Sequence, residues 1–294
     1  MALSSEASWA AAFGPQSLLI AASAGRSDWV AIVPPRWHVD WRRVQQEASP
    51  VKRSKPPSTK RPGAALLEQT RSRPFASEAN LVETFVRTLR RGCPPGWSLL
   101  REIDAGVGIA DLVLVPKPVR ARADLSLLRR VPPRLAPLLS PSAARGVRSV
   151  QTFMQSTGMS RVSAARVLRD MGQTRLASRE GDAVHLRSVT AAPFKHVVVI
   201  EAKLRDWGRA LTQAYRNRQF ATQSWVVLDA HYPVSELAIE AFRQAQVGLV
   251  TCSSEGKLVF HATGKTMRAA SDQRFWVAQA TIARSPRQVL RPLR

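Results

Sequence analysis

Cysteine is nearly missing from this chain, which holds two, Cys93 and Cys252, in 294 residues. Two thiols supply neither a disulfide framework nor a cysteine-rich metal cluster, and such usage fits a reducing compartment. Both are read as packing residues. The five histidines lack metal-ligand spacing, so surface or core roles are expected for them. Long apolar runs are absent too. The nearest, "SLLIAASAG" near residue 17, falls well short of the roughly 20 apolar residues that a membrane helix needs. The first basic residue is Arg26, too late for the positive start of a secretory signal. These absences predict a soluble, cytoplasmic protein with no membrane partner. No P-loop pattern occurs, which argues against ATPase activity.

Acidic residues are scarce relative to basic ones: 21 Asp and Glu face 44 Lys and Arg, for a formal charge of +23. Such an excess does not define a fold. It favours polyanionic partners, of which nucleic acid is the commonest, with an anionic membrane surface or a ribosome-like site as alternatives.

Composition divides the chain. Residues 1–47 carry short apolar pieces and four of the eight tryptophans and read as a small appendage. Residues 48–76, including "SPVKRSKPPSTKRPGA", mix Pro, Ser and basic residues with few large apolar ones, as a solvated linker does. A helix is predicted from Ser77, its N-cap, with Glu78, Val82, Phe85 and Leu89 at intervals of three and four on the core-facing stripe. Then "WSLLREIDAGVGIADLVLVP" reads as two strands joined by a glycine-containing turn. Its "GVG" precedes a strand instead of opening a helix, so it is turn chemistry and not a nucleotide loop.

Residues 117–189 form a predicted insertion. Its first part is rich in arginine and proline; its second gives a short helix ending near Gly158 and another from Ser160. On that second helix Val162, Ala165, Val167 and Leu168 partly line one side, and a "REGDAV" hairpin follows. Helix, turn, helix and hairpin resemble a winged helix-turn-helix, with Arg161, Arg166 and Arg169 available to phosphates or base edges. A plain helical insertion with solvated arginines is the alternative. Strands alternating with helices resume at "HVVVIEAK" and argue an α/β sheet. Residues 263–294 read as a helix and basic tail. Trp207, close behind that strand, is expected to take part in helix packing, with stacking on a base as the alternative.

Within "VVVIEAK" a carboxylate and a lysine, Glu201 and Lys203, end an apolar strand. Two residues apart, they project from the same strand face. Taking their charges out of water needs compensation. Asp111 lies near the start of another apolar strand, and Glu78 is on the preceding helix. Three carboxylates and one ammonium in one place are what phosphodiester hydrolysis requires: oxygens to hold Mg²⁺, and a lysine to orient or deprotonate water and offset transition-state charge. An ion pair at a strand end is the plainer reading.

In order, "SEANLVETF", "GIADLVLV" and "VVVIEAK" resemble the PD-(D/E)XK, or restriction-endonuclease-like, nuclease superfamily. The likeness covers residues 77–116 and 190–262, interrupted by the insertion. It implies an α/β fold, a restriction-endonuclease-like mixed β-sheet flanked by helices, with an inserted helical, winged-helix-like subdomain. It implies Asp111 and Glu201 as metal ligands, Lys203 as the catalytic lysine and Glu78 as the first-helix acid. Glu78 suits that role better than Glu83, which helical geometry turns nearly the opposite way. Some members also carry a glutamine and, four residues later, a tyrosine on the following helix. Here Gln213 is present, but position 217 is Asn and Tyr215 is displaced, so Arg216 or Arg218 is considered for phosphate instead.

The expectation is therefore a Mg²⁺-dependent DNA endonuclease, with Mn²⁺ able to substitute. Glu78, Asp111, Glu201, Lys203 and Gln213 form its site; Arg161, Arg166, Arg169, Arg216 and Arg218 are its nucleic-acid contacts. A homodimer is considered because two cuts on a duplex need two sites. The rivals are a non-catalytic DNA-binding regulator that keeps the nuclease-like core as scaffold, and a structure-specific nuclease acting on RNA or branched DNA.

Overall fold

The computed structural model describes residues 73–92, 96–118, 122–286 and 288–289. The predicted appendage, nearly all of the linker, Cys93 and the end of the basic tail lie outside these. Ser77 caps the first helix, α1 (Glu78–Gly92), by accepting the Asn80 N–H at 3.2 Å. A hairpin follows, β1 (Trp97–Asp104) and β2 (Ile109–Pro116), in antiparallel register. Its turn is tied by the Asp104 carboxylate, which accepts the Gly106 N–H, and Gly106 adopts a φ of +77° that suits glycine.

The arginine- and proline-rich stretch is more structured than its composition suggested. It folds into α2 (Arg122–Arg130), a 3₁₀ segment (Pro133–Leu139) and the short α3 (Pro141–Gly146). Next come α4 (Val150–Thr157) and α5 (Arg161–Gln173), separated by Gly158 at φ +67°, and the hairpin β3 (Ala177–Glu180) and β4 (Ala183–Leu186). Ala164, Leu168 and Met171 form the buried face of α5, at helical spacing. Val162, expected on that face, is 83% exposed, because it lies half a turn from the i, i+4, i+7 stripe.

The rest alternates strand and helix. β5 (Val198–Lys203), α6 (Trp207–Asn217), β6 (Gln223–Asp229), α7 (Glu236–Gln244) and β7 (Gly248–Cys252) are followed by β8 (Leu258–Ala262), α8 (Asp272–Arg284) and β9 (Gln288–Val289). Asp206 caps α6 as expected, accepting the Arg209 N–H at 2.9 Å. The seven-stranded sheet runs β8-β7-β6-β5-β2-β1-β9. The β5–β6 and β6–β7 pairs are parallel and the others antiparallel. A parallel pair needs a crossover, which α6 and α7 supply. The fold is thus mixed α/β, a sheet flanked by helices.

Alternation along the strands assigns the two faces. Leu112, Leu114, Val198 and Ile200 pack with Leu81, Phe85 and Leu89 of α1. Val113, Val115 and Val199 point the other way, into a core shared with Leu128, Leu139, Phe153, Leu168 and Ile282. Val226, Leu228 and Leu249 cluster on that side with Ala210, Ala214 and Phe242. The inserted helices therefore add to the central core. Their return to the sheet is pinned by Thr190, which donates to the buried Asp124 on α2. Among the described residues, no helix is long and apolar enough to cross a membrane.

Candidate active site

The β2–β5 ladder sets the site. Its register ends at Leu112↔Ile200, whereas β5 continues beside β6 as far as Lys203↔Leu228. One residue beyond the last ladder pair, Asp111 replaces the missing backbone bond: its Oδ2 accepts the Ala202 N–H at 2.8 Å. Across the hairpin, Glu102 stands opposite Asp111 with φ +53°, a left-handed conformation that non-glycine residues seldom adopt.

Glu201 is 1% exposed. Asn217, at the end of α6, donates from Nδ2 to Glu201 Oε1, and the Glu201 and Asp111 carboxyl groups lie within hydrogen-bonding reach of each other. Burial pushes the Glu201 carboxyl up to about 8, and the Asp111 charge pushes the same way, against the Asn217 hydrogen bond and the Lys203 charge. Two carboxyl groups that close in a dry place do not both ionise without a neutralising charge.

Lys203 and Glu201 were expected to work from one strand face, but their side chains part. Lys203 Nζ lies 2.8 Å from Glu78 Oε2 and 2.9 Å from the Ala202 carbonyl, so it reaches toward α1 while Glu201 takes its partner from α6. Glu78 is 47% exposed at the side chain and Lys203 12%. Glu78 thus sits at the solvent end of α1, and the core stripe is Leu81, Phe85 and Leu89. It is the residue that holds Lys203. Glu83 turns away to Arg101, at 2.6 Å.

Gln213 lies one turn of α6 before Asn217, and its Oε1 is buried with no hydrogen-bond partner among the described residues. A buried acceptor left without a partner points to a missing donor, ion or water. No cluster of three His, Cys, Asp or Glu side chains able to hold a metal exists among the described residues. A Mg²⁺ site here would use the Asp111 and Glu201 carboxylates completed by water, with Gln213 Oε1 the buried acceptor on the same helix as Asn217. An oxygen set of that kind fits Mg²⁺, which keeps several waters when bound.

The arginines divide. Arg161, Arg166 and Arg169 are exposed along α5, and Arg216 is exposed on α6. Arg218 is engaged internally: it donates to the Ala245 carbonyl at 2.7 Å and to Met267 Sδ at 2.8 Å, and lies over the Tyr215 ring. Trp207 packs among α6, α7 and the sheet. Cys252 is buried, its thiol pushed up to about 12 by burial and by Asp229, as an inert packing residue would be.

Asn217 is the site residue that sequence reasoning did not place. Its signal was available, since it occupies the position four residues after Gln213 on the same helical face. No family model, no curated protein and no solved structure matches the chain.

Proposed function

We propose that this protein is a metal-dependent DNA endonuclease with a PD-(D/E)XK-type core and an inserted winged-helix-like subdomain. The observation that carries the reading is the Asp111–Glu201 pair at the unzipped end of the β2–β5 ladder, with Glu201 pushed up to about 8 by burial and by the Asp111 charge. A structural ion pair would place its cation there. Lys203 instead bonds Glu78, so the carboxyl pair is left for a ligand.

Mg²⁺ or Mn²⁺, held by Asp111 and Glu201, would supply an activated water and screen the scissile phosphate's charge. The chain's own residues do the rest. Asn217 holds the Glu201 carboxyl through Oε1. The Ala202 N–H fixes Asp111 through Oδ2. Glu78 holds Lys203 Nζ at 2.8 Å at the same end of β5, from where it would bind a phosphate oxygen or the attacking water and offset charge that builds in the transition state. Exposed Arg161, Arg166 and Arg169 on α5, followed by the β3–β4 hairpin, support docking on duplex phosphates.

Supercoiled plasmid tests the reading, incubated with Mg²⁺, with EDTA, and with Lys203→Ala in parallel. Nicking or linearisation by the wild type alone, and only with metal, supports it. DNA binding that ignores Mg²⁺ without cleavage of plasmid, single strand, junction or RNA selects the regulator. Cleavage confined to RNA or junctions selects the structure-specific nuclease. Sedimentation with a cognate duplex decides whether the chain acts as a homodimer.

A further inference from the structure

A cavity lies at the other end of the sheet from the carboxyl pair. Its walls come from α3, from the residues leading into β5, and from residues 266–269 and the first turns of α8. Its volume is about 540 Å³, within the range of small-molecule sites. Three cationic side chains line it: Arg145 on α3, Lys195 before β5 and Arg268 before α8. Arg268 is held by Asp272, both carboxylate oxygens lying 2.8 Å from Nη2. Neither Arg145 nor Lys195 enters an ion pair among the described residues. One carboxylate against three cations leaves the lining net positive. Phe275 and Trp276 are half-buried in the same wall, their rings edge to face with centroids 5.9 Å apart.

We propose that this cavity binds a nucleoside monophosphate unit, with the phosphate on Arg145 and Lys195 and the base against Phe275 and Trp276. Free cations alone would suit any anion. An aromatic wall beside them, in a cavity too large for phosphate alone, selects an anion that carries a flat ring. The unit can be a free mononucleotide or the 5′-terminal nucleotide of a strand. The proposal does not depend on hydrolysis at the carboxyl pair.

Calorimetric titration of the full chain in EDTA tests it, with dAMP, deoxyadenosine and inorganic phosphate as probes. The expected result is saturable dAMP binding, with the nucleoside and the phosphate each weaker by about tenfold or more. Arg145→Ala combined with Lys195→Ala should weaken dAMP by at least about tenfold, the scale of a lost charged hydrogen bond. Ser142→Phe, at an exposed lining residue of α3, should weaken it too by filling the mouth, and thermal unfolding checks that both variants fold.

Competition by hexadeoxyadenylate separates the sources. Displacement only by the 5′-phosphorylated oligonucleotide supports a strand end, and displacement by neither oligonucleotide supports a free nucleotide. A wild type that binds no dAMP, or variants that bind it unchanged, overturns the assignment. So does Glu201→Gln abolishing dAMP binding, because the nucleotide would then sit at the carboxyl pair. Plasmid cleavage reads the other site, so either reading can fail alone.

Discussion

Glu201→Gln should stabilise the metal-free protein, and the gain should grow with pH. The Glu201 carboxyl is raised from 4.5 to about 8 by burial and by Asp111, so the folded chain keeps a proton that the unfolded chain releases. Stability therefore falls as pH rises through that interval, starting near 4.5 and levelling off above about 8. At about 1.4 kcal/mol per pH unit the interval caps the effect at about 5 kcal/mol. Relaxation around the site and sharing of the proton with Asp111 bring the expected figure down to about 2–4 kcal/mol. Gln has the same shape, cannot ionise and keeps an acceptor for Asn217 Nδ2, so the variant is free of the penalty at every pH. The assay is urea unfolding of both proteins in EDTA from pH 4.5 to 9. The two should be near equal at the acid end and diverge steadily to pH 8. A difference that does not vary with pH would refute the reasoning, since Glu201 would then ionise in the folded chain as freely as in water. Mg²⁺ at pH 8 should raise the wild type's midpoint and leave that of Glu201→Gln nearly unchanged.

Other outcomes follow from single contacts. Lys203→Ala should abolish metal-dependent plasmid cleavage while duplex affinity, read by anisotropy, stays within about threefold, because the docking arginines are untouched. Asn217→Ala should weaken Mg²⁺ binding by about 10- to 100-fold, as lost supports of metal ligands do, measured by titrating Mg²⁺ against cleavage rate. Replacing Arg161, Arg166 and Arg169 together by Ala should lower the slope of log affinity against log salt by up to about 3, read by anisotropy at several salt concentrations. Gly248→Ala should destabilise by about 1–3 kcal/mol in urea unfolding, because a Cβ there would lie 2.2 Å from the Trp225 ring.

The elements of the sheet were legible because their signals are local. Asp206 and Ser77 cap the helices that sequence placed after them, and "VVVI" could hardly be anything but a buried strand. The stretch from 117 to 147 was not legible as helix. Pro132, Pro133 and Pro137 break any long periodicity, yet prolines suit 3₁₀ turns and helix starts, and Leu135, Leu138 and Leu139 among them are buried in the core shared with α8 and the sheet. The strand at Gln288–Val289 was equally hidden, since two residues carry no period and their pairing with β1 is long-range.

At the site, spacing along β5 located Glu201 and Lys203 but not their partners, because partners come from other elements. The faces of a strand separate side chains only along the sheet; at its open end a long lysine reaches round to α1, and Glu78 draws it there. Asn217 shows the converse. A tyrosine hydroxyl at that position would titrate and would need room, whereas an amide cannot ionise and carries both a donor and an acceptor. Opposite a carboxyl raised to about 8, that matters. When Glu201 is ionised the amide NH₂ donates to it, and when Glu201 is protonated the same side chain, flipped, can accept from it. Asn217 therefore satisfies Glu201 on both sides of its titration, which is what a buried acid must have if it is to lose a proton to an arriving cation without unfolding the end of β5.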